Sequence, residues 1–443
     1  MQVVAGNNWL SMPIATLNGE AINISFDDLT HEYHRYVYRL QHCEADWSVS
    51  EGIFESDYCE GFADGSTIDD IEESLNTNTL YTHYRLSIPN ENCRIKMSGN
   101  YRLTVYDENE GDTVFTACFM VVEPLVKTSM AVTTNTDIDT NKAHQQVAAE
   151  INYSALGITN PNAELYTVVM QNGRWSTARI NAAPQYQTGS GLRWEHNPDY
   201  IFNGGNEFHK FEILDVTHPT LGIENVGWDG KNYHAQIWTD LPRPSYVYDE
   251  DANGSFYIRN SDNIENDRIS EYVTVHFRLQ APRQNGRVFV NGVWTNDRFI
   301  PRYEMTYNEQ TRLYEAYIPL KQGYYSYQYL TMCDDGTLHP VSTEGNFYQT
   351  ENSYQMLIYY KGILVGGTSP FTGIFTGVNY DLKREASDIN WYREGKFQDP
   401  TKMVTGEQLQ KVYLFVKNLC ANVSEFETEI NSCRIPKMKI ELK

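Results

Sequence analysis

The chain has 443 residues, too many for one hydrophobic core, and is expected to divide into about three domains. Its formal net charge of −23 argues against nucleic acid and anionic lipid as partners, because their phosphates would be repelled. No apolar run approaches the roughly 18 to 20 residues needed to cross a bilayer, so direct membrane insertion is not predicted.

Aromatic content and turn residues indicate the fold class. Thirty-two Tyr and eight Trp, with Gly and Asn scattered in pairs, favour short strands over helices up to about residue 400. The opening segment Met1–Gly6 lacks the charged and apolar parts of a signal peptide, so an exported form would carry its signal upstream of this sequence. We predict an all-β chain.

The segment 24–89 is the most distinctive stretch of the sequence. Residues 36–41 alternate in character and predict a strand that ends at a polar corner. The corner, residues 42–47, contains several titratable side chains, so one alternative is that it forms an active site. The simpler interpretation is that His42 and Asp46 satisfy loop backbone groups while Trp47 closes the end of a sandwich core.

Four motifs follow one another in this region. They are a Ser-Phe-Asp-Asp-Leu start at Ser25, a His-Cys-x-Ala-Asp-Trp corner at His42, a Tyr-x-x-Gly-Phe loop at Tyr58 and an Asn-Thr…Tyr-Thr-His-Tyr-x-Leu strand at Asn76. In this order they resemble the plug-protein family of the type IX secretion system of Bacteroidetes. The resemblance implies a periplasmic protein that docks on an outer-membrane translocon barrel. The candidate interaction residues in these motifs are His42, Asp46, Trp47, Phe62 and His83.

A first β-sandwich is expected over residues 1–127. A turn at Gly99-Asn100 precedes an alternating strand that begins at Tyr101, and a second strand follows over Phe115–Val122. This arrangement is typical of a hairpin that closes an antiparallel sandwich.

A second sandwich is expected over residues 128–263, where Asn172-Gly173 gives a strong hairpin signal. Two segments here resemble further motifs of the plug family. The candidate residues that they add are Trp175, Glu207 and Phe208. This chain has His209 where the family pattern implies Arg, so a charge-pair role at that position stays open.

The acidic segment 249–254 matches the first half of a calcium-loop pattern. The twelfth position of such a loop requires a bidentate acid, but Asn260 stands there. A plain hairpin, with strands at Tyr246–Tyr248 and Phe256–Ile258, is the preferred interpretation.

A third sandwich is expected over residues 264–362, with a clearly alternating strand that begins at Val273. Its order of strands and a Pro-Leu-Lys-x-Gly-Tyr-Tyr hairpin resemble the early-set sandwiches that bind starch or glycogen, and also the last sandwich of the plug family. The whole fold is therefore predicted as tandem immunoglobulin-like, early-set β-sandwiches. A starch-type site would use Trp294 and Tyr325, because sugar rings stack on flat aromatic pairs.

The tail, residues 363–443, has a different character. A capping box at Thr405–Gln408 precedes apolar residues at helical spacing, which predict an amphipathic C-terminal helix over about 406–430. We know no counterpart for this helix in the plug family.

Seven cysteines are scattered without a Cys-x-x-Cys pair, so the sequence signals neither a zinc site nor a thioredoxin-like motif. Cys43 and Cys59 flank the same loop and are the first pair to test for a disulfide, although spacing alone does not establish one. The alternative is that all the cysteines are small buried side chains.

Enzymatic motifs are not found in the sequence: it has no nucleophile elbow, phosphate loop, His-Glu-x-x-His helix or paired acids in a glycosidase setting. His31 and His34 would point to opposite faces of an extended segment, which disfavours a metal site. We therefore predict no catalytic residues, no metal and no cofactor.

Three functions compete at this stage. The first is a non-enzymatic periplasmic plug that seals the opening of the translocon barrel, which requires a rigid body with a protein-binding face. The second is glycan binding through the third domain. The third is an enzyme whose site is assembled from scattered residues.

Overall fold

The computed structural model describes residues 1–362, 371–375 and 380–381. Nearly all the regular structure in these residues is β, and three separate hydrophobic cores mark three sandwiches. The predicted all-β sandwich class is confirmed. The amphipathic helix predicted over 406–430 lies outside the described residues.

The first sandwich buries aromatic and aliphatic side chains between two sheets. The order of its four-stranded sheet is Gln2–Ala5, Ile22–Asp28, Thr82–Ile88 and Asp70–Glu73. The opposing strands, which belong to a larger sheet, are Thr113–Glu123, Gly99–Asp107, Tyr36–Cys43 and Asp64–Thr67, with Ile14–Thr16 parallel to the first of them. Tyr101, Leu103 and Val105 are fully buried while the side chains between them are partly exposed, as the alternation predicts.

The middle sandwich packs a five-stranded sheet against two long strands and one short one. The five strands are Lys127–Thr133, His144–Asn152, Gly191–Trp194, Tyr186–Gln187 and Ile201–Asn203. The opposing strands are Leu165–Gln171, Arg179–Ile180 and Ser353–Gly362. Trp194 and Tyr200 fill the core between the two layers.

The last sandwich is formed by the strands of one ten-stranded sheet, whose side chains supply a core of its own. The strand order is His209–Ile213, Gly323–Met332, Arg287–Asn291, Glu304–Asn308, Leu313–Lys321, Tyr272–Gln280, Tyr233–Ile237 and Ile223–Trp228, with Phe256–Ile258 and Leu338–Pro340 also paired to the second of these. Val273, Val275, Phe277 and Leu279 all point into this core, as predicted.

Strand pairing does not follow the predicted linear grouping. His209–Ile213 pairs with Gly323–Met332 in the last sandwich, whereas Ser353–Gly362 pairs with Leu165–Gln171 in the middle one. Phe371–Phe375 then pairs with both Ser353–Gly362 and Thr113–Glu123, so one sheet continues from the middle sandwich into the first. The boundaries near 128 and 264 remain a prediction for limited proteolysis.

The short elements lie in the connections. The α-helices among the described residues are Glu55–Tyr58, Pro161–Glu164 and Asn266–Ile269, and the 3-10 helices are Trp175–Thr177, Pro198–Tyr200, Val293–Thr295 and Pro301–Tyr303. A two-stranded ladder joins Cys59–Gly61 to Cys93–Ile95.

The hairpin predicted around 246–258 is wrong. Phe256–Ile258 is a strand, but it pairs with Gly323–Met332 and not with Tyr246–Tyr248, which is not a strand. The preceding acidic side chains instead serve local contacts: Asp251 accepts a hydrogen bond from the backbone N–H of Asn253 at 2.6 Å.

Candidate functional site at the sandwich junctions

The polar corner is a structural turn. The ring of His42 is buried, with Nδ1 2.8 Å from Ser50 Oγ and Nε2 3.2 Å from the Ser98 carbonyl oxygen. Burial lowers the pKa of His42, which favours the neutral ring. The carboxylate of Asp46 accepts hydrogen bonds from Ser48, one of them from its backbone N–H at 2.9 Å. The preferred interpretation, that these groups organise the loop, agrees with this geometry.

Trp47 connects the first sandwich to the middle one. Its ring meets that of Trp175 edge to face at 5.7 Å, and its carbonyl oxygen accepts a hydrogen bond from Arg102 at 2.8 Å. The two rings cover a separate core of buried side chains from both sandwiches, which includes Met120, Val122, Val168, Met170, Leu357 and Tyr359. Two signature tryptophans from distant motifs thus meet at one junction.

His83 belongs to a buried charge network between the first and last sandwiches. Its Nδ1 lies 2.5 Å from Asp27 Oδ1. The other oxygen of Asp27 accepts hydrogen bonds from Lys321 at 2.8 Å and from the Tyr272 hydroxyl at 2.7 Å. Burial alone would raise the pKa of Asp27, but the hydrogen bond from His83 and the charge of Lys321 outweigh it and hold the pKa at about 2. Asp27 is therefore a carboxylate at neutral pH.

The Asn-Thr…Tyr motif extends the same junction. The Glu271 carboxylate accepts hydrogen bonds from the backbone N–H groups of Asn78 and Thr79, the latter at 3.0 Å. The Tyr81 hydroxyl donates to the Ser270 carbonyl oxygen at 2.8 Å. This motif is an interdomain contact that fixes the last sandwich against the first.

His209 retains the charge-pair role that its departure from the family pattern left open. The ring lies between Asp240, 2.9 Å from Nδ1, and Glu344, 3.0 Å from Nε2. Burial lowers the pKa of His209, yet the two carboxylates outweigh burial and raise it to about 9. Arg243 also pairs with Glu344. A histidine in this position is therefore a cation at neutral pH, as an arginine would be.

Glu207 and Phe208 lie in the connection that enters the last sandwich, and both are buried. Tyr246 donates a hydrogen bond to Glu207 at 2.5 Å, and the Phe208 backbone N–H donates to Asp251. Burial raises the pKa of Glu207 to about 8. Buried acids with a raised pKa are often candidates for proton transfer. In this protein, the same Glu207 oxygen accepts hydrogen bonds from the Tyr246 hydroxyl and from the Glu351 backbone N–H, the latter at 3.2 Å.

Phe62 differs from the other signature residues because its side chain is 69% exposed. Gly61 precedes it with φ +103°, and a Cβ at that position would lie 2.1 Å from the Asn92 carbonyl oxygen. Glycine is therefore required for the turn that presents Phe62. Phe54, at the start of the same connection, is 78% exposed.

The aromatic pair nominated for sugar stacking lies in a core. Trp294 and Tyr325 are 6% and 2% exposed, and their rings meet nearly perpendicularly at 5.8 Å. Trp294 donates to the Ser326 carbonyl oxygen and Tyr325 to that of Lys321. This nomination is wrong for the structure described, because stacking on a sugar requires an open ring face.

Sequence reasoning missed the partners of these side chains: Asp27, Tyr272 and Lys321 between the first and last sandwiches, and Asp240 and Glu344 beside His209 in the last sandwich. The sequence carries a signal for two of them, since Asp27 stands inside the first motif and Lys321 inside the Pro-Leu-Lys-x-Gly-Tyr-Tyr segment. In the described part of the chain, no group of three or more His, Cys, Asp or Glu side chains is placed to hold a metal ion. Chemically, this arrangement pairs buried charges: Asp27 with Lys321 between the first and last sandwiches, and His209 with its two carboxylates within the last sandwich.

The part of the chain that contains the four N-terminal motifs matches a known protein family. The model of the type 9 secretion system plug protein 1st domain matches residues 1–123, and residue 123 ends the last strand of the first sandwich. The chain belongs to this plug-protein family. Plug proteins are accessory components of type IX secretion that act on its periplasmic side.

One solved structure matches the chain well beyond residue 123. A hypothetical protein from Parabacteroides merdae ATCC 43184 is 37% identical, with a TM-score of 0.81 over 86% of this chain and 96% of its own. The C-terminal domain of the Streptococcus pyogenes antigen I/II-family protein AspA is 7% identical, with a TM-score of 0.17 over 85% of this chain and 98% of its own. No curated protein matches the chain. Within the described residues of this plug-family member, no helix has the length and apolar character to cross a membrane.

Proposed function

We propose that the protein is a non-enzymatic periplasmic plug, which docks on the outer-membrane barrel of the type IX translocon and closes its periplasmic opening. The observation that carries this proposal is the use of the family motifs: His83, Trp47 and Trp175 join sandwiches to one another. A plug must resist deformation across a wide opening, and paired charges and packed rings at each junction stabilise a single relative orientation.

The docking face in this proposal includes the connection that carries Phe54 and Phe62. Both rings belong to the family-matched domain and are largely exposed. Exposed aromatic side chains are enriched at the centres of protein interfaces, where burial against a partner contributes most of the affinity. The Phe62 backbone N–H donates a hydrogen bond to the Asn92 carbonyl oxygen at 2.8 Å, which holds the backbone that presents this ring and lowers the entropic cost of binding.

The test is affinity isolation of the tagged full-length protein from detergent-solubilised cell envelopes, followed by identification of the proteins that accompany it. We expect an outer-membrane barrel of the secretion system in near-stoichiometric amount. Phe62→Ser should reduce its recovery roughly tenfold. Tyr317→Ser is the matched control, because Tyr317 is also an exposed aromatic residue but lies in the last sandwich.

Two results would contradict the proposal. If the wild-type protein is recovered without any outer-membrane barrel, the proposed docking is contradicted. Turnover of an ester, glycoside or peptide by purified protein, abolished by substitution of a single acid or histidine such as Glu207→Gln, would favour the scattered-site enzyme instead.

A further inference from the structure

Two buried cysteines of the first sandwich lie in contact. Cys59 and Cys93 stand on the two strands of the ladder formed by Cys59–Gly61 and Cys93–Ile95. Their sulfur atoms are 3.0 Å apart, within thiol hydrogen-bond distance. The pairing expected first, Cys43 with Cys59, is not the one that the fold brings together, because Cys43 lies on the strand Tyr36–Cys43 of the larger sheet.

The ladder places both side chains on the same face. Cys59 is opposite Ile95 and Cys93 is opposite Gly61, so the two cysteines are diagonal neighbours in an antiparallel register. A disulfide bond measures about 2.05 Å between sulfurs, so the two sulfur atoms need to approach by about 1 Å to form it. The backbone around Cys93 is held by Asn90, whose side chain accepts the Cys93 N–H at 2.9 Å.

We propose that Cys59 and Cys93 form a disulfide bond in the mature protein, and that the adjacent thiols are its reduced form. The bond would close a loop between residues 34 positions apart, which holds the strands Asp64–Thr67, Asp70–Glu73 and Thr82–Ile88. That loop also contains His83, so the crosslink restricts the unfolded state of the segment that builds the junction with the last sandwich.

The chemistry requires a two-electron oxidant of the disulfide class. The Cys59 thiolate attacks one sulfur of that oxidant, which forms a mixed disulfide and releases one thiol. The Cys93 thiolate then attacks the Cys59 sulfur, which forms the intramolecular bond and releases the second thiol; the two cysteine protons end on the two released thiols. The hydrogen bond from Cys93 lowers the pKa of Cys59, which favours Cys59 as the first nucleophile.

Because both thiols are buried in the folded chain, the test includes oxidation during refolding. The full chain is refolded with a mixture of oxidised and reduced glutathione, alkylated, digested without reductant and analysed by mass spectrometry. We expect one crosslinked peptide pair containing Cys59 and Cys93, lighter by two hydrogen atoms than the sum of its reduced peptides. Adding reductant should then lower the Tm by roughly 5 °C, because the loop constraint is lost.

Variants separate this bond from general thiol effects. Cys59→Ser with Cys93→Ser should make the Tm insensitive to reductant, whereas Cys118→Ser, at an exposed cysteine of the same sandwich, should keep the full response. Full alkylation of both thiols after oxidative refolding would overturn the proposal, and so would a crosslink between Cys43 and Cys59. Peptide mapping of the wild-type chain decides the matter even if the serine variants do not fold, and it does not depend on translocon docking.

Discussion

The ammonium group of Lys321 donates a hydrogen bond to Asp27 at 2.8 Å, although 294 residues separate them in the chain. Both side chains are almost completely buried, at 5% and 7% exposure. The ammonium also lies 4.0 Å from the centre of the Tyr81 ring. This ion pair connects the first sandwich to the last, and burial removes both charges from solvent.

Lys321→Met should destabilise the protein by about 3 kcal/mol, because it leaves the Asp27 carboxylate buried without its cation. Urea unfolding followed by circular dichroism measures the change. Arg283→Met is the matched control: its pair with Glu309 is exposed on both sides, and its loss should cost less than about 1 kcal/mol. Equal losses for the two variants would show that the buried pair contributes no more than a surface pair.

His209 should give the protein a pH-dependent stability on the alkaline side. Its pKa is about 9 in the folded protein and about 6.5 in the unfolded chain, so its contribution is complete below pH 6.5 and is lost as the pH rises through 9. The Tm should therefore fall across this window. In His209→Gln the fall should be smaller, while the exposed His218→Gln should retain it. An identical pH profile for His209→Gln and the wild type would contradict the assignment.

Glu344, a carboxylate partner of His209, should make the stability of the protein depend on pH in the acid range. Burial would raise its pKa, but His209 and Arg243 outweigh burial and lower it to about 2, against 4.5 in the unfolded chain. The stability that it contributes is present above pH 4.5 and is lost as the pH falls through 2. Glu344→Gln should therefore flatten the acid limb of the Tm profile. A limb as steep as that of the wild type would exclude Glu344 as its source.

Trp47 and Trp175 should be energetically coupled. An edge-to-face pair contributes about 0.5–1.5 kcal/mol beyond the area that it buries. A double-mutant cycle with both tryptophans changed to alanine measures this coupling directly. The control cycle combines Trp47→Ala with Trp228→Ala, because Trp228 packs against Tyr233 in the last sandwich and should be additive with Trp47. If both cycles are additive, Trp47 and Trp175 are not coupled, and their contact does not stabilise the junction.

Trp294→Ala should destabilise the last sandwich by about 3–5 kcal/mol, because it empties a core position. We expect calorimetry to detect no saturable binding of maltooligosaccharides or cell-envelope glycans to the wild-type protein. Saturable binding that Trp294→Ala abolishes while the fold stays intact would restore the glycan hypothesis.

Many of the strands could be predicted from the local alternation of apolar and polar residues. Tyr101, Leu103 and Val105 recur every second residue, and a strand with one buried face requires this period. Strand partners were less accessible, because pairing depends on contacts between distant segments. Phe256–Ile258 is an example: the expected partner was the neighbouring segment Tyr246–Tyr248, which is not a strand, and the actual partner is Gly323–Met332.

The same distinction between local pattern and distant contact applies to the candidate site. The all-β class and the motifs could be predicted from the sequence, because they follow from local spacing and residue type. Three contacts could be seen only in the folded chain: Trp47 meets Trp175, Asp27 binds both His83 and Lys321, and Trp294 is buried in a core. Lys321 follows Leu320 at the end of its strand, in the outward phase, and nothing local predicts its burial. It is buried because the first sandwich covers that end of the last one, and a charge there is stable only where the fold supplies Asp27.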